Sequence, residues 1–222
     1  MCAAPVRPAR KRGCKLRDWS KIPPALPGHR IGILGGTFNP AHDGHRHISL
    51  MALQRLQLQN VWWMVTPGNP LKDNKALPPL AERARTAEQL ADHPLITVSG
   101  LEAGISTRFT YDTLAILKQR FAATRFVWLM GADNLAQFHR WQGWQEIAQL
   151  MPMAIIDRPG SSGAARSSVA AQALARFRVP ERNAAVLALM KPPAWTFLHG
   201  PRSDVSSSAL RAATTYRRQQ EL

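Results

Sequence analysis

The sequence predicts an α/β protein built on a doubly wound parallel sheet, and two observations carry that prediction. Short apolar runs such as "RIGIL", "NVWWMV" and "RFVWLM" recur along the chain and read as buried strands. Between them lie longer segments with apolar residues at helical spacing, of which "HRHISLMALQRLQLQ" is the clearest. Strand and helix in alternation imply parallel strands joined by right-handed helical crossovers, which bring the strand ends that carry function to one edge of the sheet.

The elements follow in order from Ile31: "RIGILGG", a helix over 44–58, "NVWWMVTP", a helix over 80–92, "LITVSG", a helix over 110–121, "RFVWLMGAD", a helix over 141–149, "MPMAIIDRP", a helix over 166–177, "AWTFLHG", and a last helix from Ser208. The stretch Gly160–Ser168, rich in Ser, Gly and Ala, reads as flexible. No internal repeat is visible. At 222 residues with 45% hydrophobic content, the chain suits one domain with a real core over residues 30–222. Residues 1–29 mix basic residues with Pro5, Pro8, Pro23, Pro24 and Pro27 without periodicity and read as a disordered basic tail, dispensable for catalysis through residue 25.

The net charge is +15, and about half of it lies in residues 1–30, where Arg7, Arg10, Lys11, Arg12, Lys15, Arg17, Lys21 and Arg30 face Asp18 alone. Such a balance suits a polyanionic ligand, nucleotide or nucleic acid, without choosing between them. No run approaches the roughly 20 apolar residues that span a bilayer, and the first 29 residues lack the apolar middle of a secretory signal. The expectation is a cytoplasmic protein with no membrane partner. Cys2 and Cys14 follow no metal pattern and are too few for a disulfide framework.

The chemistry concentrates in "GILGGTFNPAHDGHRHIS", Gly32 to Ser49. A turn from strand to helix aims free backbone N–H groups and the positive end of a helix at one spot, which suits phosphate. Gly32, Gly35 and Gly36 are not spaced as G-x-G-x-x-G, and no G-x-x-x-x-G-K-[ST] occurs. Instead His42-Asp43-Gly44-His45 forms an H-x-G-H at the helix start, where two imidazoles can enter one pocket and donate to a phosphoryl group as its charge redistributes. Ordinary capping or surface histidines remain the alternative. His47, further along, reads as structural or exposed, and no third ligand makes a metal site. Near the C-terminus Ser206, Ser207 and Ser208 open a predicted helix whose N–H groups and hydroxyls suit a triphosphate, with Arg211 one turn on; a plain serine cap is the alternative.

"GGTFNPAHDGH" with the distal "SSSALR" resembles the nucleotidyltransferase superfamily marked by H-x-G-H and I-S-S-T-x-x-R elements, over nearly all of the chain from Arg30 to about Arg217. Within it, "GADNLAQFHRW", "STRFTYDTL" and "TPGNPLKD" resemble bacterial nicotinate-nucleotide adenylyltransferase. Two departures stand out: Asn39 where the family often has Asp, and Val205-Ser206-Ser207-Ser208 where it has I-S-S-T. Ser keeps the hydroxyl of Thr, and Val keeps an apolar anchor.

The resemblance implies a single-domain, Rossmann-like nucleotidyltransferase fold and transfer of AMP from ATP to nicotinate mononucleotide, giving deamido-NAD and pyrophosphate in NAD biosynthesis, with Mg²⁺ accompanying ATP. It implies catalytic roles for His42, His45 and Arg211, and an ATP site of Gly35, Gly36, Thr37, Phe38, Arg158, Ser206, Ser207 and Ser208. The acceptor site would hold Lys72 on phosphate and Asp133 on ribose hydroxyls or as a helix cap. Trp141 would stack on the pyridine ring with Trp144 in the core, and Thr110 would cap its helix or present N–H groups to the nicotinate carboxylate. No metal is expected on protein ligands, no nucleic acid is expected, and a homo-oligomer is left open. Rival readings are another adenylyl- or cytidylyltransferase of the superfamily, such as a phosphopantetheine adenylyltransferase, and a basic nucleic-acid-binding protein. The "GADNLAQFHRW" loop speaks against the first, and the lack of RNP-like or zinc-finger patterns against the second.

Overall fold

The computed structural model describes residues 18–68, 74–157 and 162–200. The strands β1 (Arg30–Gly36), β2 (Asn60–Val65), β3 (Ile96–Ser99), β4 (Arg125–Gly131), β5 (Met153–Ile156) and β6 (Trp195–Leu198) form one six-stranded sheet in the order β3-β2-β1-β4-β5-β6. Every pairing is parallel, with Leu34 opposite Trp63 on one side and Leu129 on the other. Sequence alternation now has a physical basis: Val61, Trp63 and Val65 of β2 enter one apolar cluster while Trp62 and Met64 enter the other. Both faces are covered, so the strands read as continuous apolar runs.

Helices α1 (Asp43–Arg55) and α2 (Leu80–Ala91), with a 3₁₀ segment over Glu181–Leu189, cover the first face. On the second lie α3 (Leu101–Ile105), α4 (Thr110–Arg120), α5 (Ala132–Gln137), α6 (Trp144–Leu150), α7 (Ser162–Arg166) and α8 (Val169–Ala173). Strand order reverses direction between β1 and β4, and ligands of such sheets bind in the crevice beyond the strand ends at that switch point. Among the described residues, no helix is long and apolar enough to cross a membrane.

Several expectations need correction. Residues 18–29 are not a free tail. The Trp19 carbonyl accepts from the Gly100 N–H (2.8 Å), the Ser99 hydroxyl donates to Lys21 (2.8 Å), Gly28 donates to Ala123 (2.8 Å), and Trp19, Ile22 and Ala25 pack on the two clusters. The Ser20 carbonyl lies so close over Gly104 that a Cβ there would overlap it, so this strap needs glycine beneath it. Basic and proline-rich composition hid the few apolar residues that anchor it. The helix expected over 44–58 stops at Arg55, because Gln57 adopts a left-handed backbone (φ 51°) that turns the chain toward β2.

The helix expected over 166–177 is broken: Ser168 ends one turn and caps α8, accepting from the Ala171 N–H at 3.3 Å. Residues 162–166 of the stretch expected to be flexible are helical. The helix expected over 141–149 starts at Trp144, after Gly143 (φ 65°) at its cap, while α3 and α5 are short helices the periodicity did not show. Lys72, Arg158, Ser206, Ser207, Ser208, Arg211 and the last expected helix lie outside the described residues.

Candidate active site

The end of β1 is built for close approach. A Cβ at Gly35 would sit 2.5 Å from Cη2 of the fully buried Trp128, so only glycine lets β1 lie on that indole. The chain then turns through Thr37 and Phe38 (φ 47°) to a cis Asn39–Pro40 bond and reaches His42, the N-cap of α1, in extended backbone (φ −151°). The His42 N–H donates to Nδ1 of His45 (3.3 Å), and the two rings stand 3.9 Å apart between centroids. Accepting that bond assigns the His45 ring proton to Nε2, leaving an N–H donor on the opposite side of the ring. Phe38 packs against His45 (4.6 Å) and stacks on Trp63 (5.1 Å) at 2% exposure, so its backbone, and not its ring, is what a ligand could meet.

The rotation of α1 is fixed from below. Nε1 of Trp63 donates to the Ser49 hydroxyl (2.7 Å), which donates to the His45 carbonyl (2.9 Å). All three lie on the α1 and β2 contact, so a buried indole N–H is satisfied while α1 is tied to β2 beneath His45.

Across the switch point, Gly131 ends β4 and caps α5. Asp133 therefore falls in the first turn of α5, which overturns its reading as the cap. Trp141 follows a short 3₁₀ turn and packs edge-on against Trp128 (6.3 Å) and Phe138 (5.5 Å) while staying partly exposed. Trp144 packs on Phe138 (5.9 Å) and is partly buried. Gly143 lies against the Tyr111 side chain, bringing this turn beside the start of α4. Thr110 is the first residue of α4, and Phe109, not Thr110, is its cap. The Thr110 N–H thus belongs to the unpaired first turn of an eleven-residue helix.

A cleft of about 370 Å³ opens past the ends of β2 and β3, lined by Thr66, Pro67, Gly68, Asn74, Glu102, Ala103, Ser106, Thr107 and Arg108. Glu102, 4% exposed, accepts from the Thr113 hydroxyl (3.1 Å), and Thr113 shares a 2.7 Å bond with Thr107. Burial pushes the Glu102 carboxyl above its ordinary range, against the opposing pull of the Thr66 and Thr113 hydroxyls. Arg83, 3% exposed, donates from Nη1 to the carbonyls of Thr37 (2.7 Å) and Thr66 (2.8 Å), from Nη2 to Pro67 (3.3 Å) and from Nε to Pro78 (2.8 Å).

The model of the cytidylyltransferase-like family matches residues 33–213. A relative from Methylorubrum extorquens (strain PA1) is 58% identical over 182 residues, 82% of this chain and 98% of its own. One from Brucella abortus (strain 2308) is 56% identical over 181 residues, 82% of this chain and 93% of its own. Both carry the name "Probable nicotinate-nucleotide adenylyltransferase". The chain belongs to the nicotinate-nucleotide adenylyltransferase family.

The family's fold is the one observed. The solved Plasmodium falciparum nicotinic acid mononucleotide adenylyltransferase complexed with NaAD aligns with a TM-score of 0.61 at 18% identity, covering 83% of each chain, and the same protein complexed with APC gives 0.59. Of the residues that the resemblance to nicotinate-nucleotide adenylyltransferase singled out, Gly35, Gly36, Thr37, His42 and His45 come together around the start of α1. Gly143, two residues after Trp141, lies against Tyr111, the residue after Thr110, which brings those two segments side by side. Arg83 and Glu102 were missed. The signal for Arg83 was a cation on an otherwise alanine stripe, since Arg83, Ala87 and Ala91 share the buried face of α2. Glu102 left only a weak trace, a lone carboxylate directly after a buried strand.

Proposed function

We propose that this chain transfers the adenylyl group of ATP to nicotinate mononucleotide, forming deamido-NAD and releasing pyrophosphate in NAD biosynthesis. The observation that supports this most is the His42 and His45 pair, two imidazoles 3.9 Å apart at the positive end of α1, beside a glycine turn and within the sheet's switch-point crevice. A phosphate oxygen of the mononucleotide, ionised at neutral pH, attacks the α-phosphorus of ATP. A P–O bond to the mononucleotide forms as the bond to the β-phosphate oxygen breaks, and pyrophosphate leaves with the electron pair. No proton has to be removed, so the chain's work is alignment and stabilisation of shifting charge.

In this reading the Nε2–H of His45 donates to the transferring phosphate, with His42 and the free N–H groups of α1 on the same anion. Thr37 and the glycines admit the nucleotide, Ser206, Ser207, Ser208 and Arg211 hold the β- and γ-phosphates, and Arg158 lies toward adenine. Trp141 stacks on the pyridine ring, the N–H groups at the start of α4 near Thr110 bind the nicotinate carboxylate, Asp133 meets ribose hydroxyls, and Lys72 meets phosphate. ATP enters as its magnesium complex, the ion offsetting phosphate charge. Phosphate oxygens and water would supply most of the ligands of that ion. We place the enzyme in the cytoplasm, acting without nucleic acid.

The test is pyrophosphate release from ATP with a panel of acceptors: nicotinate and nicotinamide mononucleotides, phosphopantetheine and a phosphocholine-type monoester. Fastest release with nicotinate mononucleotide is expected. Release that favours another acceptor would reassign the enzyme within its superfamily.

A further inference from the structure

The start of α4 is held by a residue that lies outside it. Glu102, the second residue of α3, takes the chain that follows it twice onto its own carbonyl: the N–H of Ser106, the cap of α3, and the N–H of Thr107 (3.2 Å). Ser106 has a left-handed backbone (φ 54°), and the chain runs from it through Thr107, Arg108 and Phe109 to Thr110, the first residue of α4. The Glu102 carboxyl then reaches the helix itself, since Oε1 accepts from the Thr113 hydroxyl (3.1 Å). That hydroxyl has one proton to give, so Thr107 is the donor in the 2.7 Å bond between the two threonines. Glu102 and Thr113 are both buried.

The direction of a few N–H groups depends on this network. The first backbone bond of α4 runs from the Thr113 N–H to the Phe109 carbonyl (3.3 Å), so the N–H groups of Thr110, Tyr111 and Asp112 precede the helical ladder. They include the donors assigned above to the nicotinate carboxylate, and the turn after Trp141 lies beside them through Gly143 and Tyr111. Thr113 is where the ladder begins, and its side chain is the one that Glu102 holds. Buried hydrogen bonds of this kind have few alternative arrangements, because each broken bond leaves a polar group without water. None of these bonds involves the turn after β1, assigned to ATP.

We propose that Glu102, acting through Thr113, is a positioning residue for the acceptor: it sets the first turn of α4 so that its N–H groups meet the nicotinate carboxylate, and thereby sets the preference for carboxylate over amide. This rests on the adenylyltransferase reading above.

The experiment measures kcat/KM for nicotinate and nicotinamide mononucleotides, and KM for ATP, each substrate varied at saturation of the other. Full-length Thr113→Val and Glu102→Ala lose the bond, whereas Thr113→Ser and Glu102→Gln keep a hydroxyl or an accepting oxygen; circular dichroism verifies folding. Loss of the bond is expected to raise KM for nicotinate mononucleotide about tenfold and to cut its preference at least about threefold, with KM for ATP within about twofold, since displacing a positioned group by about 1 Å costs on that order or more. The Ser and Gln variants should keep the preference to within about twofold. A ratio of two acceptors on one sample cancels the fraction of active protein, so a merely structural role, which lowers yield and melting temperature, does not move it. An unchanged preference in Thr113→Val and Glu102→Ala, an equal rise in KM for ATP, or equal losses in the Ser and Gln variants would overturn the proposal, the last by assigning the effect to packing. If neither Thr113→Val nor Glu102→Ala folds, Thr107→Val, at a half-buried position, breaks the same chain of bonds from its other end and carries the same expectation and the same refutation. The unaltered chain separates the two levels: no release with nicotinate mononucleotide, or no preference for it, would fell the functional reading and this inference with it, whereas a preference that survives loss of the bond fells this inference alone.

Discussion

In the turn after β1, the groups proposed to meet phosphate are neighbours in the chain: His42 and His45 stand three residues apart, and the helix they open supplies the geometry. Past the ends of β2 and β3 the opposite holds. Arg83 reaches Thr37 across 46 residues, Thr66 across 17 and Pro78 across 5, and Glu102 is joined to Thr113 eleven residues on. The contrast shows that a reactive group can be carried by a local motif, because a helix start is a ready-made anion site. Much of the frame around it is assembled from bonds of Arg83 to backbone carbonyls, which any residue type at the accepting position can provide.

If that division of labour is right, damage to the local motif should strike turnover hardest. His45→Ala is expected to lower kcat by about 10²-fold or more with a much smaller change in the KM for ATP, as for a donor whose bond strengthens in the transition state. Steady-state kinetics checks this, and His47→Ala, outside the motif, should be nearly silent. Equal and small effects at both positions would reduce the H-x-G-H to a helix start.

The frame should respond in stability. A chain beginning at Asp18 should match the full chain, whereas one beginning at Leu26 loses Trp19, Ile22 and the bonds to Ser99 and Gly100, and should melt several degrees lower. Thermal denaturation of the two truncations decides it, and equal melting points would return residues 18–25 to the status of a tail.

Glu102 offers a finer probe. Its folded pKa lies above its unfolded one because of burial, so its contribution is fully present below the unfolded pKa and is lost as pH rises through the folded pKa. Glu102→Gln keeps an oxygen to accept from Thr113 and has no proton to lose. Its melting temperature relative to the unaltered chain should therefore rise with pH across that window. A pH-independent difference would contradict the burial argument.

The smallest effect should come from Glu181, at the far side of β6. Partial burial disfavours its charge, but the His199 ring (2.7 Å) and N–H (2.9 Å), with Arg55 at 2.8 Å, outweigh this and hold it below the ordinary range. That contribution is present above the unfolded pKa and disappears as pH falls through the folded one. Glu181→Gln should thus cost at most about 1 kcal/mol near neutrality, since the ion pair is well solvated, and nothing in strong acid.

The same contrast explains what could be read from the chain. All six strands were legible to within two residues at most ends, because strands buried on both faces are apolar without interruption. The start of α1 was legible because its motif is contiguous. The strap over 18–29 was not, since its anchors Trp19, Ile22 and Ala25 stand three apart among prolines and cations, a spacing that matches neither a strand nor an uninterrupted helix. Ser168 broke a helix that looked continuous, because a serine serves equally on an exposed helical face and as a cap. Arg83 and Glu102 stayed hidden for a related reason: their types announce solvent, and only the fold reveals that carbonyls and hydroxyls replace it.

The central claim, adenylyl transfer to an acceptor recognised by its carboxylate, is tested most directly by kcat/KM for nicotinate against nicotinamide mononucleotide, measured as pyrophosphate released and dinucleotide formed. Stacking on Trp141 cannot separate a carboxylate from an amide, so discrimination falls to N–H donors at the start of α4, where an amide would turn its own NH₂ toward one of them. A buried donor left without an acceptor costs roughly 1–3 kcal/mol, and loss of a charge-assisted bond adds to it. The account predicts a preference for the nicotinate substrate of at least about tenfold, with Trp141→Ala weakening both substrates and preserving the ratio. Comparable kcat/KM for the two mononucleotides, or pyrophosphate released without dinucleotide, would contradict it.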